Sequence, residues 1–347
     1  MRYTLYSDND PFLRKAFLDF PQRLYPPERH TQDRKTEKAI LLCTHPLSVD
    51  FAVYPFLALD EQDQPAARCL LALYPGDENG YVGFFESEDA PDAAALVLCA
   101  AAEKARLFGR SRLVGPYNAS FWLGYRFKTT NFRERFTGEP DNRAFYPRLW
   151  EQCGFRVTDH YFSNHMRVPT DADVSEKAVR RLKMFRDAGY DFRTITFRTF
   201  DRCLQDIYGL LIELYSTFPG FQYITERQFI ALFSPMRYVL DHEMVKLVYK
   251  DGALAAFVIC IPNYAAHGAA GFLATRRAPT EYSIPYMGVS EKHAGLGNAL
   301  SELLKHDLQR KNCTSVTALI HDGKVTGGFY RMLKTHTTEY VLMAREL

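Results

Sequence analysis

Seven cysteines are scattered over 347 residues, at positions 43, 69, 99, 153, 203, 260 and 313, and no two stand at a metal-ligand spacing. That pattern argues against a zinc or iron–sulfur site, so no metal is expected, and it predicts reduced thiols in a cytoplasmic protein. A long hydrophobic run is also missing. The most apolar stretch, residues 93–102, is far short of the ~20 residues that a membrane-spanning helix needs. The N-terminus reaches Asp8 and Asp10 without an apolar segment, so no signal peptide is expected. Surplus charge is lacking too: 43 basic residues face 41 acidic ones, a net +2. Nothing there draws the chain toward nucleic acid in general. Neither common phosphate loop is present. There is no Gly-Lys-Ser/Thr ending, and Leu300 stands where a dinucleotide fingerprint starting at Gly295 and Gly297 would place its third glycine.

What is present is ordinary globular composition, 47% hydrophobic and 24% charged, with 26 Phe and 21 Tyr raising aromatics to 14%. Such aromatic content suits packed cores or a wide apolar groove. At this length two domains are the natural expectation. The most informative stretch is 286–300, Tyr-Met-Gly-Val-Ser-Glu-Lys-His-Ala-Gly-Leu-Gly-Asn-Ala-Leu. It reads as a strand end, a glycine turn and a helix opening. Leu300, Leu303, Leu304 and Leu308 follow at helical spacing. A helix that starts at a glycine turn aims unpaired N–H groups and its positive dipole end at the space before it. Gly295 and Gly297 would let a phosphate approach that backbone.

Taken in order, the first half reads as a helix from Asp10-Pro11, strands at 51–59, 67–74 and 80–86, an alanine-rich helix over 93–108 capped by Gly109, and a strand at 111–115. The junction before the 93–108 helix holds Glu88, Asp89, Pro91 and Asp92. Acids there would repel a diphosphate. From Ser120 to Phe136 aromatic and basic residues alternate, a pattern compatible with single-stranded nucleic acid, but too short in a near-neutral chain to make that partner the expectation. Residues 141–155 read as helix, glycine cap and strand. A basic helix carrying Lys177, Arg180, Arg181, Lys183 and Arg186 follows within residues 166–190, most simply a solvated face. The second half reads as a strand at 192–197, helices at 203–215 and 226–233, a hairpin at 244–262 turning at Asp251-Gly252, a strand at 282–289, a helix at 298–311, a strand at 315–320, a helix at 328–333 and a last strand at 339–344.

The order Lys292-x-x-Gly295-x-Gly297 resembles the acyl-CoA pyrophosphate loop of the GNAT acetyltransferases, Arg/Gln-x-x-Gly-x-Gly/Ala, with lysine as a departure at the first position. Lysine keeps the charge and loses the planar fork. Gly83-Phe84-Phe85-Glu86, then Gly115-Pro116-x-Asn118-x-Ser120, then 142–155 ending in Gly154-Phe155, look like a group of bacterial tandem GNAT-like proteins. That resemblance implies an α+β fold of two tandem GNAT-like domains, each a central, mixed, mostly antiparallel sheet flanked by helices. The expected division is 1–165, an N-terminal domain without a working CoA loop; 166–190, a linker helix; and 191–347, a C-terminal domain carrying the loop.

The resemblance further implies an N-acyltransferase that moves an acyl group, acetyl being the first expectation, from acetyl-CoA or another acyl-CoA to a primary amine by direct transfer. The cosubstrate would be held by Met287, Gly288, Val289, Lys292, His293, Ala294, Gly295, Leu296, Gly297 and Asn298. A backbone N–H near Met287 to Val289 would stabilise the oxyanion. Tyr330 would be the acid that protonates the departing thiolate. The base stays open among Glu281, Glu243, Asp241, His242 and His267, with Glu281 put first. The expected partner is a small-molecule or peptide amine, with no membrane; monomer and homodimer remain open. Two alternatives stand: an aminoacyl-tRNA-dependent transferase of the peptidoglycan-bridge type, and a catalytically silent GNAT-like scaffold. Chain length of the acyl group, the acceptor and the pathway are not legible.

Overall fold

The computed structural model describes residues 2–7, 10–29, 32–265, 278–323 and 331–347. Its contacts divide the chain into two units: Met1–Phe132 with Pro140–His160 and Glu339–Leu347, and Arg133–Glu139 with Tyr161–Thr338.

In the first unit, helix α1 (Pro11–Leu24) opens where expected, with the Asp10 carboxylate accepting from the amides of Phe12 and Leu13. Helix α2 (Arg34–Leu41) and the short strand β1 (Thr4–Tyr6) were not foreseen. Strands β2 (Ala52–Leu59), β3 (Pro65–Leu73) and β4 (Asn79–Ser87) pair antiparallel, and β4 pairs parallel with β5 (Arg112–Gly115) after the crossover helix α3 (Pro91–Leu107). Ala93, Val97, Ala101 and Ala105 recur every four residues and are fully buried, so small side chains let this helix lie close on the sheet. Helix α4 (Tyr146–Gln152) adds Tyr146, Leu149 and Trp150 to the same core.

Two short segments carry the alternation of aromatic and basic residues. Strand β6 (Phe127–Lys128) buries both of its residues, and Arg126 stacks on Tyr125 at 3.8 Å. Residues 125–128 are packed interior, whereas Arg133 is exposed and Trp122, Phe132 and Arg135 are half-buried.

The second unit has the strand order β7-β12-β11-β10-β9-β8. These are β7 (Arg156–Met166, whose last six residues belong here), β8 (Asp191–Thr194), β9 (Val245–Lys250), β10 (Ala253–Pro262), β11 (Glu281–Val289) and β12 (Thr314–His321). Helices α5 (Glu176–Asp187) and α8 (Leu296–Lys311) cover one face, where Leu182 and Phe185 pack with Leu296, Leu300 and Leu304. Helices α6 (Phe200–Tyr215) and α7 (Glu226–Phe233) cover the other, with α7 opened by a Thr225–Gln228 capping box.

Two domain expectations differ from this arrangement. The helix read as a linker is part of the second unit, because its apolar pair Leu182 and Phe185 is buried in that unit's core. The second unit also does not run to the C-terminus. Strand β13 (Lys334–Glu346) ends in the first unit, where Met343 pairs with Gly115 and Tyr340 with Lys128. A strand's sequence records its alternation but not its partner, so this return could not be read in advance. Of the helix expected at 328–333, only a 3-10 turn at Arg331–Leu333 falls among the described residues.

Candidate active site

Strands β11 and β12 run side by side only at their starts. Parallel pairing covers Glu281↔Thr314 to Ile284↔Thr317 and then stops, although β11 continues to Val289 and β12 to His321. Both strands take one extra residue at that level. On β11 the partners shift from Ser283↔Ile261 to Tyr286↔Ile259, and on β12 from Thr317↔Asn164 to Ile320↔Phe162. A bulge bends its strand and reverses which residues face each side. Pro285 sits in the first bulge and has no N–H to give to a ladder. Leu319 in the second has φ of 60°.

The reversal sets the walls of the gap. Ile284 lies in the core under α8, whereas Tyr286, two residues on, faces Tyr215 and Phe233 on the opposite side. Met287 and Val289 turn back toward the α8 core. A Cβ at Gly288 would stand 2.6 Å from side-chain atoms of both Leu214 and Phe257, so glycine lets these side chains lie close on the strand. At the end of β12, His321 lies 6.2 Å from the Phe218 ring and 4.9 Å from Tyr161. Tyr215 stacks on Phe218 at 4.8 Å, so an aromatic group joins the two diverging strands.

The glycine turn lies beyond β11. Glu291–His293 form a 3-10 turn, and Gly295, at φ 85°, is the residue from which α8 starts. No side chain caps this helix. Lys292, Ala294 and Asn298 are exposed, His293 and Gly295 half-buried, and Leu296 and Gly297 buried. His293 is held by a 2.9 Å hydrogen bond between its Nδ1 and the Tyr190 hydroxyl. Arg181 on α5 lies over Gly295, its Nε 3.6 Å from where a Cβ would be. Among the described residues neither Arg181 nor Lys292 is paired with a carboxylate, unlike Arg180 and Lys183 on the same helix, which pair with Glu176 and Asp187. An uncapped helix start with two unpaired cations beside it attracts an anion.

The residues expected to hold the cosubstrate form one continuous stretch, Met287 to Val289 at the end of β11 and Lys292 to Asn298 in the turn and the start of α8. Glu281 is not among them. It begins β11, eight residues before Val289, or roughly 25 Å along an extended strand. Its carboxylate accepts from Asn263 at 2.6 Å and Thr314 at 3.2 Å, holding the paired end of the strands. Asp241 and Glu243 are also engaged structurally. Burial works to raise Asp241, but the Tyr282 hydroxyl and Lys311 outweigh it and its carboxyl is lowered. Hydrogen bonds from Lys311 and Arg310 lower Glu243. His242 faces the Arg237 carbonyl at 3.0 Å. Tyr330 and His267 lie outside the described residues. Sequence reading missed His321 and Arg181. The histidine closes an expected strand, and only the divergence of β11 and β12 gives it a place. The arginine was one of five basic residues on a helix, with nothing in the spacing to set it apart.

The first unit repeats the bulged pattern with a different ending. Pairing of β4 with β5 covers only Asn79↔Arg112 to Tyr81↔Val114, and β4 carries its extra residue near Phe84, at φ 46°. There the chain fills its own gap: the Tyr117 amide donates to the Val82 carbonyl at 2.7 Å, and Asn118 Oδ1 accepts from the Phe84 amide at 2.7 Å. Helix α3 begins with Pro91 and Asp92.

A tandem GNAT protein from the clavulanic acid biosynthesis pathway superposes with a TM-score of 0.57 at 14% identity, covering 99% of this chain and 98% of that one. The chain has the tandem GNAT fold. A GCN5-related N-acetyltransferase from Kribbella flavida gives 0.51 at 8% identity, over 99% of this chain and 72% of that one. In sequence, the chain is 26% identical over 190 residues to a bacterial ceramide synthase from Caulobacter vibrioides, a match that covers 54% of this chain and about half, 49%, of that protein. No protein-family profile matches. No helix among the described residues is long and apolar enough to cross a membrane.

Proposed function

We propose that the second unit of this tandem GNAT fold is an acyl-CoA-dependent N-acyltransferase, and that the first unit binds no acyl-CoA. One observation carries the reading. An uncapped helix start, with Gly295 at positive φ and Arg181 beside it, follows the strand that parts from its neighbour. Gly295, Leu296, Gly297 and Asn298 would present amides to a diphosphate, with Arg181 and Lys292 as its cations. Acyl-CoA would supply the thioester carbonyl that an amine attacks; the C–N bond forms, the C–S bond breaks, and CoA leaves as a thiolate that takes up a proton. His321 is our candidate for taking the amine's proton, as an imidazole at the mouth of the gap. In the first unit the corresponding gap is closed by Tyr117 and Asn118, and Pro91 removes one of the N–H donors.

The ring group of Tyr215, Phe218, Phe233 and Tyr286 favours an apolar substrate over acetate. The name of the Caulobacter relative supports the same direction, since a ceramide is the amide of a fatty acid with a long-chain amino alcohol. We therefore infer a long-chain acyl donor or acceptor, in place of the acetyl first expected. The tRNA-dependent alternative has less to rest on: Arg126 and Lys128 are buried, and Arg180 and Lys183 are paired within their helix.

The test is thermal unfolding of the whole chain with acetyl-CoA, palmitoyl-CoA and free CoA. A ligand at 100 times its Kd adds about 2.7 kcal/mol of stability, so the melting temperature should rise by several degrees, most with the long chain. No rise with any of the three at millimolar concentration would overturn the acyl-CoA reading.

A further inference from the structure

Away from the gap, in the same unit, Glu134, His165 and His336 meet from three distant parts of the chain. Their candidate ligand atoms all lie within 4.8 Å of one another. The Glu134 carboxylate is 2.6 Å from His336 Nε2 and 3.6 Å from His165 Nδ1, and the two imidazoles stack at 4.2 Å with 12° between their planes.

The far nitrogens are held by threonines. His165 Nε2 contacts the fully buried Thr338 hydroxyl at 2.9 Å. Thr335 donates its one hydroxyl proton to the His165 carbonyl at 3.0 Å, so toward His336 Nδ1, also at 3.0 Å, it can only accept. His336 Nδ1 therefore carries the proton, and in the neutral ring Nε2 presents a lone pair to the carboxylate. A lone pair and a carboxylate oxygen at 2.6 Å need a cation between them. A proton there would serve only the His336–Glu134 pair, whereas a divalent ion would draw His165 Nδ1, 3.6 Å from the carboxylate, into the same site.

We propose that Glu134, His165 and His336 bind one divalent transition metal, with zinc the ion that suits two imidazoles and a carboxylate, and with water at the fourth position. The outer threonines provide the orienting contacts that metal-bound histidines require. The side chains of Glu134 and His336 are 51% and 42% exposed, which gives the ion a path from solvent, while His165 is buried. Ligand bonds of about 2.0–2.2 Å need the three atoms to adjust by less than about 1 Å. The ion would pin residues 133–139 to β7 and to the start of β13 within this unit. This site was invisible in the sequence, where the three residues share no spacing.

The full chain, stripped with chelator and dialysed against zinc, should retain one equivalent by elemental analysis. Cobalt should bind in its place with the visible absorption of a tetrahedral site. Glu134→Gln and His336→Ala should each lose the ion, with circular dichroism confirming that they are folded. Glu134→Gln serves even if the histidine variant is unstable, because its side chain is half exposed. Thr335→Val should weaken binding about 10- to 100-fold. Less than stoichiometric zinc in the native chain, or zinc retained unchanged by Glu134→Gln, would overturn the proposal.

Discussion

Arg181 lies across Gly295, with its Nε, Cδ and Cζ 3.6–3.7 Å from the point where a side chain on that glycine would begin. The contact is an ordinary van der Waals distance, so an added methyl group would fit. Its cost would come from the backbone, since φ of 85° is a left-handed conformation that L side chains avoid. Gly295→Ala should lower stability by about 1–2 kcal/mol. It should also remove most of the thermal protection by acyl-CoA, because relieving the strain moves the amides that open α8. Calorimetry with and without ligand separates the two effects.

Arg181→Ala makes the complementary case. Nothing in the fold depends on its charge among the described residues, so the variant should melt within about 0.5 kcal/mol of the native protein. Hydrogen bonds to charged groups contribute about 1.5–3 kcal/mol, so its affinity for acyl-CoA should fall at least tenfold. Arg181→Lys should recover only part of this, because the ammonium lacks the planar fork. Titration calorimetry with free CoA is the direct measurement.

Much of this was readable in advance, for identifiable reasons. The strand, turn and helix over 281–311 are written in local chemistry: alternating apolar residues, glycines, then leucines at helical spacing. The hairpin over Asp251-Gly252 and the helix at 226–233 are equally local, and both are where they were expected. What could not be read is whatever depends on a distant partner. The return of β13 to Gly115, the burial of Leu182 and Phe185 under α8, and the place of His321 beside Phe218 all require the assembled sheet. Glu281 illustrates the converse. It was expected beside the gap, and it stands at the paired start of β11, where its carboxylate accepts from Asn263 and Thr314.

Two glycines in the first unit and one in the second should respond in opposite directions to the same change. A Cβ at Gly83 would stand 2.0 Å from the Tyr117 carbonyl oxygen, and one at Gly115 would stand 2.4 Å from that of Val82. Both neighbours are backbone and cannot swing aside, so Gly83→Ala and Gly115→Ala should each cost about 3 kcal/mol or more. Gly209 lies inside α6 with no atom within 4 Å of its missing Cβ. Gly209→Ala should therefore stabilise the protein by about 0.5–1 kcal/mol. Chemical denaturation of the three variants checks the ordering.

The buried ion pair beneath α1 supplies a further case. Arg68 donates to both oxygens of Glu37, at 2.8 and 3.3 Å, and to the Phe17 carbonyl at 2.7 Å, with both side chains almost wholly buried. Removing one partner strands the other's charge in the interior. Glu37→Ala should cost about 3–5 kcal/mol. Replacing both residues with apolar ones should cost much less, a non-additivity that a double-mutant cycle would detect.

Glu86 should make stability fall as pH rises toward neutrality. The hydroxyls of Tyr25 and Tyr146 donate to its Oε2 at 2.9 and 2.7 Å. Burial dominates nonetheless and pushes its carboxyl up to about 7, against the pull of Arg68 and the two tyrosines. In the unfolded chain the same group ionises at its ordinary value, near 4.5. Between those two values the folded protein holds the proton and the unfolded chain has released it. Unfolding then releases a proton, so each step upward in pH favours the unfolded state across that window. Below the window both states are protonated, and above it both are ionised. Glu86→Gln keeps an oxygen that can accept from both tyrosines and removes the titration. Its melting temperature should exceed that of the native protein above pH 7, and the difference should shrink as pH falls toward 4.5. A difference between the two proteins that stays constant from pH 4 to 8 would show that Glu86 ionises in the fold as it does in the open chain.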